Sequence, residues 1–211
     1  MKTLIAIPCM DMVPTGFVRS LLELHKPEGT SVSFQQGSLI YDARNLLSLT
    51  AIDHQFDRVL WLDSDMIFQM DLLDYLSRDM DETGADLVTG LYFRRILPTR
   101  PVLFKEIDEP YKDSDGKIVK TVVDYLDYPQ DKIFPVDGCG FGAVLMKTSL
   151  LKKVWDKFGP AFTPYMWGGE DISFCYRAKL LGARMVCDSR IKPGHIGQIQ
   201  YSEHMYERTQ P

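Results

Sequence analysis

Two aspartates separated by one serine follow a short apolar run near residue 60. The stretch is VLWLDSDMIFQ, Val59–Gln69. Apolar residues before acids are typical of a buried strand that delivers carboxylates to a cleft at its carboxyl end. If the backbone stays extended, Asp63 and Asp65 lie on the same side of it. Two carboxylates this close repel each other unless positive charge lies beside them.

A divalent cation that carries substrate phosphates would supply that charge. Mg²⁺ takes one or two protein carboxylates and fills its octahedron with water and phosphate oxygens. The alternative is a solvated turn or a helix N-cap, because Asp and Ser are favoured in both. The choice between these interpretations depends on the later motifs.

The second motif is MWGGEDISFCY, Met166–Tyr176. Its two glycines allow close backbone approach, and its two acids begin a predicted helix. Glu170 can simply stabilise the helix dipole, whereas Asp171, at the start of a mostly buried helix, is a candidate general base. Trp167 could stack on a sugar face, although an aromatic residue beside glycines can equally be a packing residue.

A histidine between two glycines is the third motif, in PGHIG. This setting suggests that His195 approaches a ligand or metal and completes the coordination begun by Asp65, with a hydrogen-bonded structural histidine as the alternative. The segment Gly138–Ala143 formally fits G-x-G-x-x-A, but it follows a proline-rich section instead of a first strand. We therefore expect Gly140 to line a substrate pocket. The basic loop Tyr92–Pro101, with Arg94, Arg95 and Arg100, could contact a diphosphate or remain solvated.

Composition restricts the classes of protein. The 211 residues suggest one domain, and the net charge of −5 gives no basic field for nucleic acid, which we do not expect as a partner. No apolar run approaches the ~20 residues of a membrane span. The beginning, MKTLIAIPCMDM, resembles a first core strand more than a signal peptide, and the four cysteines form no C-x-x-C pair. We therefore expect a cytoplasmic protein.

Strands and helices alternate over the first ninety residues, which is typical of a parallel, helix-covered sheet. The predicted strands are Thr3–Pro8, Ser31–Phe34, Arg58–Leu62 and Asp86–Gly90. Prolines and a turn at 113–116 then predict antiparallel strands. The later predicted elements are strands at Ile133–Val136, Phe141–Met146, Arg184–Cys187 and Arg190–His195, and helices at Leu150–Phe158 and Glu170–Leu181.

In their order along the chain, these motifs resemble those of GT-A glycosyltransferases. The matching segments are IAIPCM, DARN, LDSDM, TGLYFRR, VDGCGFGAVLMK, WGGED and GHIG, which extend from residue 4 to about 197. WGGED is similar to a segment of the β-1,4-galactosyltransferases, and the layout resembles small family 2-type enzymes of bacteria and phages. The resemblance implies a single α/β GT-A domain over 1–211, with a mixed sheet flanked by helices. Residues 1–92 would form its nucleotide-binding half, and residues 93–200 its acceptor-binding, catalytic half.

The same resemblance implies a role for each matched residue. Asp65 and His195 would bind Mn²⁺ or Mg²⁺, and Asp63 would bind the ribose or the metal. Pro8 would border the base, and Arg44 would lie near the nucleotide. Asp171 would be the base of an inverting reaction, with Glu170 orienting a sugar hydroxyl.

The implied partners are a nucleotide-diphosphate sugar and an acceptor glycan, protein or small molecule. We expect a UDP-sugar. A GDP-sugar stays open as the alternative, because Gln35 and Gln36 stand where many relatives have an acid that contacts the base. Two other functions stay open. A sugar-nucleotide pyrophosphorylase would need a Gly- and Arg-rich loop after the first strand, where this chain has PCMDMVPTG. A non-catalytic sugar-nucleotide or glycan-binding protein could carry the same residues.

Overall fold

Helices and strands alternate along the part of the chain that the computed structural model describes, residues 1–37, 39–165, 168–197 and 200–203. The helices are α1 (Thr15–Glu23), α2 (Ile40–Asp53), α3 (Leu72–Thr83), α4 (Thr148–Phe158) and α5 (Glu170–Leu180). The strands are β1 (Thr3–Cys9), β2 (Thr30–Gln36), β3 (Arg58–Leu62), β4 (Met66–Ile67), β5 (Leu87–Gly90), β6 (Leu103–Lys112), β7 (Ile118–Asp124), β8 (Ile133–Pro135), β9 (Gly138–Cys139), β10 (Ala143–Lys147), β11 (Met185–Asp188), β12 (Gly194–Ile196) and β13 (Gln200–Tyr201).

Seven of the described strands form a central sheet in the order β2-β1-β3-β10-β5-β11-β8. Strands β1, β2 and β3 are parallel, and so are β5 and β11. Strand β10 lies antiparallel between β3 and β5, and β8 is antiparallel to β11. The sheet is therefore mixed and takes strands from both halves of the sequence.

Each central strand is apolar on both faces because helices cover both sides of the sheet. Side chains alternate along β3, so that Val59 and Trp61 join one hydrophobic core and Leu60 and Leu62 join the other. Residues of α2, α4 and α5 pack in the first core, and residues of α1 and α3 pack in the second.

Two small sheets extend the described structure. Strands β13, β12 and β4 form one, and β7, β6 and β9 form the other. Strand β4 follows β3 after a three-residue turn, so the first small sheet begins at the carboxyl end of a central strand. It thereby joins the segment around His195 to the segment around Asp65.

The predicted α/β architecture with a mixed, helix-flanked sheet is confirmed, and Arg58–Leu62 is the third strand along the chain as predicted. Two local predictions were wrong. The backbone is not extended at Asp63 and Asp65, because the Met66 amide donates to the Asp63 carbonyl at 3.2 Å and closes a turn. The predicted strand Arg190–His195 begins only at Gly194, since the Ile191 amide donates to the Asp188 carbonyl and turns the chain.

None of the described helices is both long enough and apolar enough to cross a membrane.

Candidate functional site

A cleft of about 360 Å³ lies at the carboxyl ends of β1 and β3. Strand β1 ends there in Pro8 and Cys9, and β3 leads into the two aspartates. This is where ligands bind in open α/β sheets. The cleft brings together most of the residues predicted for the site, namely Pro8, Arg44, Asp63, Asp65, Glu170, Asp171 and His195.

The small sheet of β4 and β12 positions Asp65 against His195. The Ile196 amide donates to the Asp65 carbonyl at 2.7 Å, and His195 pairs with Met66 in the β-ladder. As a result, Nε2 of His195 lies 3.4 Å from Oδ2 of Asp65. Two residues separated by 130 positions therefore meet through main-chain hydrogen bonds, which define their spacing firmly.

The protonation of His195 follows from its other contact. Its Nδ1 lies 3.0 Å from the carbonyl oxygen of Phe93, and a carbonyl can only accept, so Nδ1 carries the hydrogen. In the neutral ring, Nε2 then keeps a lone pair for a ligand, and in the protonated ring Nε2 donates to Asp65. A histidine that binds a metal through one ring nitrogen usually donates the hydrogen of the other to a carboxylate, a backbone carbonyl or water.

Asp65 and His195 fit a divalent cation as two neighbouring ligands. Adjacent ligands of an octahedral ion with bonds of about 2.1 Å lie about 3 Å apart, close to the observed spacing. However, the described residues contain no group of three His, Cys, Asp or Glu side chains arranged to hold a metal. Desolvation opposes the charged form of Asp65, but contacts with His195 and Arg95 outweigh it and lower the pKa of its carboxyl.

Asp63, in the same cleft, makes its ion pair with Arg44. Nη2 of Arg44 donates to Oδ1 of Asp63 at 2.7 Å, and Nε of Arg44 lies 3.4 Å from Oε1 of Glu170. Burial raises the pKa of the Asp63 carboxyl, although Arg44 acts in the opposite direction. The contact of Asp63 with Arg44 leaves its second oxygen as the one available to a ligand such as a ribose hydroxyl.

The Arg44 guanidinium is only 2% exposed and lies in an aromatic cage. Its central carbon is 5.3 Å from the ring centre of Phe141 and 5.7 Å from those of Trp61 and Phe162. Such cation–π contacts partly replace lost hydration. Arg44 thus links the turn after β3 to the start of α5.

Helix α5 begins with Glu170 and Asp171, as predicted. Desolvation, followed by repulsion from Glu170, raises the pKa of Asp171 to about 6. A carboxylate with that pKa is ionised near neutral pH yet basic enough to accept a proton from a hydroxyl during reaction. Its Oδ1 accepts a hydrogen bond from the Ile172 amide at 2.7 Å, which helps orient the side chain.

Of three predicted substrate-binding residues, two are not brought to the cleft and the third lies outside the described residues. Gly140 is buried, and a Cβ there would lie 2.2 Å from the Tyr92 hydroxyl, so close packing accounts for this glycine. Arg100 donates to Asp124 at 3.3 Å. Trp167 lies outside the described residues. The assignment of all three to substrate binding stays a prediction.

Tyr92 and Arg95 also line the cleft, and the sequence predicted Arg95 only as one of three arginines in a loop that could contact a diphosphate. Tyr92 is 4% exposed, accepts a hydrogen bond from the Gly142 amide at 3.1 Å and packs edge-on to His195. Arg95 contacts Asp65. Both follow β5, so the rule that chemistry collects at the carboxyl ends of parallel strands could have selected them.

The mixed sheet and its cleft define the class of architecture: the chain has the GT-A fold of nucleotide-diphospho-sugar transferases. Among solved structures, protein A197 from STIV is similar with a TM-score of 0.66 and 22% identity, over 93% of this chain and 86% of that chain. GalNAc-T7, in a structure with UDP, GalNAc and Mn²⁺, is similar with a TM-score of 0.62 and 10% identity. The similar region covers 99% of this chain and 47% of the GalNAc-T7 chain. No protein-family model and no curated protein sequence matches the chain.

Proposed function

We propose that this protein is a metal-dependent glycosyltransferase that moves a sugar from a nucleotide diphosphate to an acceptor hydroxyl, with inversion at the anomeric carbon. The observation that carries the proposal is the meeting of Asp65 and His195 in one cleft with Asp171, whose pKa is raised to about 6. In a GT-A fold, this combination supplies a place for a metal-bound diphosphate and a base facing it.

In the proposed reaction, Asp65 and His195 hold Mn²⁺ or Mg²⁺. The bound cation would act as a Lewis acid that stabilises the charge on the leaving diphosphate. Asp171 accepts the proton of the acceptor hydroxyl as that oxygen attacks the anomeric carbon, a role that typically contributes ~10²–10⁴-fold to the rate. Glu170, fixed by Arg44, orients a sugar hydroxyl, and Asp63 binds the ribose.

The donor half of the proposal comprises residues 1–92, and the acceptor half comprises residues 93–200. Pro8 borders the pocket for the base. GalNAc-T7 supports a UDP-sugar and Mn²⁺, because both UDP and Mn²⁺ are present in that structure. A GDP-sugar is the alternative donor to test.

Release of nucleoside diphosphate from a panel of UDP- and GDP-sugars tests the proposed function. The purified protein is incubated with each donor and Mn²⁺, and then with EDTA in excess. We expect release with one donor sugar and its loss in EDTA. A pyrophosphorylase would instead form a sugar nucleotide from a nucleoside triphosphate and a sugar phosphate. Binding of a donor without turnover, even with acceptors added, would favour the binding-protein alternative.

The substitution Asp65→Ala tests the metal assignment. We expect it to weaken Mn²⁺ binding, measured by isothermal titration calorimetry, at least about 10-fold, because loss of a metal ligand removes more than the 10–100-fold effect of a supporting residue. Asp156→Ala, on the exposed face of α4, is the matched control and should bind Mn²⁺ like the wild type. Normal Mn²⁺ affinity in the Asp65 variant would contradict the assignment.

A further inference from the structure

Arg95 makes a contact that the proposed mechanism does not use. Its Nη1 lies 2.7 Å from Oδ2 of Asp65 and also donates to the carbonyl of Ile196 at 3.3 Å. Oδ2 of Asp65 is the same oxygen that faces His195. A guanidinium and a divalent cation would therefore compete for one carboxylate oxygen, because both carry positive charge.

Arg95 differs from its two neighbours in the loop after β5. Nη2 of Arg94 lies 2.5 Å from Oδ1 of Asp124, and Arg100 contacts Oδ2 of the same carboxylate. Asp124 therefore holds both of those guanidinium groups together on β7. Arg95 instead lines the cleft with 48% of its side chain exposed, so its ion pair is one that solvent weakens and that can exchange partners.

We infer that Arg95 is an exchangeable counter-charge for the donor site. It neutralises Asp65 while the site has no donor, and it transfers to the donor diphosphate when Asp65 takes part in cation binding. A guanidinium suits this exchange because its planar fork matches a carboxylate and a phosphate equally well. The inference rests on the proposed function, since it needs a cation at Asp65 and a diphosphate beside it.

This exchange predicts that removal of the Arg95 guanidinium changes the affinity for Mn²⁺ and the affinity for nucleotide in opposite directions. Without Arg95, Asp65 has no competing cation, so Mn²⁺ alone binds more tightly. The diphosphate loses a charge-assisted hydrogen bond, so the nucleotide binds more weakly. A merely structural role for Arg95 would weaken both or change neither.

The experiment uses Arg95→Gln and two probes, Mn²⁺ alone and UDP or GDP at saturating Mn²⁺. Titration calorimetry should show about threefold to fivefold tighter Mn²⁺ binding, the range of an exposed ion pair, and at least about 10-fold weaker nucleotide binding. Arg95→Lys keeps the charge and should lie between Arg95→Gln and the wild type in both measurements. Arg19→Gln removes an equal charge from an exposed pair with Glu23 and should change neither affinity.

The outcomes separate this inference from the function on which it depends. If the wild type binds Mn²⁺ and Asp65→Ala does not, but Arg95→Gln binds Mn²⁺ no more tightly, the exchange is wrong and the metal site stands. Unchanged nucleotide affinity in Arg95→Gln would overturn it as well. If the wild type binds no Mn²⁺, both the metal assignment and the exchange fail.

Discussion

Asp171 lies where burial and Glu170 together favour its protonated form. Because its pKa in the folded protein is raised to about 6 from an ordinary value near 4, the folded state binds a proton in that pH range more readily than the unfolded chain. The resulting stabilisation is fully present below about pH 4 and is lost as the pH rises through about 6. At neutral pH the molecule therefore keeps a destabilising charge at the position of the proposed base.

We expect Asp171→Asn to lose at least ~10²-fold in turnover while keeping donor affinity, because the amide cannot accept the proton. The same variant should be more stable than the wild type at pH 8 by about 1–2 kcal/mol, since it removes a poorly solvated charge. Initial rates, nucleotide titrations and urea unfolding measure the three quantities. In the wild type, kcat/KM should rise with pH up to about 6.

Asp156→Asn is the control for Asp171→Asn, because Asp156 forms an exposed pair with Lys152 on α4. It should leave turnover unchanged and alter stability by less than about 1 kcal/mol. An unchanged rate in Asp171→Asn would remove Asp171 as the base.

Arg44 is a positioning residue in this scheme, because its guanidinium is buried between Asp63 and Glu170. It also opposes the upward shift in the pKa of Asp171. We expect Arg44→Gln to lower stability by about 3 kcal/mol, since it leaves buried carboxylates without their cation. It should also move the acidic limb of kcat/KM above pH 6. Arg44→Lys should retain that limb near pH 6, whereas an unshifted limb in Arg44→Gln would contradict the electrostatic role.

The sequence predicted which residues lie in the cleft better than it predicted their contacts with one another. Asp63, Asp65, Glu170, Asp171 and His195 were predicted from motifs, and the structure brings them to one cleft. The pairing of Arg44 with Asp63 and Glu170 was not predicted, because a guanidinium buried among three aromatic rings depends on contacts between α2, β3 and α5. Spacing along a chain carries no information about such contacts.

At the scale of elements, the glycines of Gly138–Gly142 show how packing can imitate a ligand motif. Strand β9 lies very close to both β6 and α5. A Cβ at Gly138 would lie 2.3 Å from Ile107 of β6 and 2.9 Å from Cys175 of α5. A Cβ at Gly142 would lie 2.8 Å from the Tyr92 ring. The absence of side chains at these positions lets β9 and the following loop pack against α5 and the Tyr92 ring. Close packing therefore explains the glycine pattern without a bound pyrophosphate.

We expect Gly140→Ala to lower the free energy of unfolding by about 1–3 kcal/mol, because its methyl group would overlap the Tyr92 hydroxyl and force that buried ring to move. Urea denaturation measures the loss. Gly37→Ala is the matched control, since a Cβ at Gly37 meets no atom within 4 Å. Equal stability of the two variants would show that Tyr92 does not constrain this loop.

The lengths of the elements were predictable where apolar periodicity was long. Helices α4 and α5 and strand β3 follow the predicted ranges closely. The two-residue strands β4, β9 and β13 could not be predicted, because they are held by their partners across the small sheets and have no period of their own. The turn at Asp63–Asp65 was the alternative interpretation of this segment, and the structure favours it over the extended backbone.

For the molecule as a whole, a second pair of acids lies away from the cleft. Asp79 and Asp188 are both 0% exposed, and Asp188 is held by Arg190 through two nitrogens. Burial and the neighbouring Asp188 raise the pKa of Asp79 to about 6. Arg78 donates to Oδ1 of Asp79, and a protonated Asp79 can share a hydrogen bond with ionised Asp188. The pair thus connects α3 to β11 most strongly when Asp79 is protonated.

We expect Asp79→Asn to flatten the pH dependence of stability. In the wild type, the contribution of Asp79 is fully present below about pH 4 and is lost through about pH 6, at a cost of up to about 3 kcal/mol. The amide keeps a hydrogen-bond donor and has no charge to gain. Urea unfolding from pH 4 to 8, with the variant's curve subtracted from that of the wild type, measures the effect. A constant difference over this range would contradict the shared proton.

The α/β class was predictable from alternation, but the strand order was not. The segment at 141–146 was predicted as a strand, yet nothing in its apolar run distinguishes an antiparallel central strand from a parallel edge strand. Its place between β3 and β5 is decided by which strand edges remain free once the other strands have paired. That is a property of the complete sheet.

The central position of β10 has a consequence for synthesis on the ribosome. A nascent chain released only as far as residue 92 contains β3 and β5 but lacks the strand that bridges them. Its two facing strand edges would stay unpaired, with their amide and carbonyl groups open to association with other chains. The cleft, whose lining extends to His195, is therefore complete only late in translation, and residues 1–92 would not fold as a separable module.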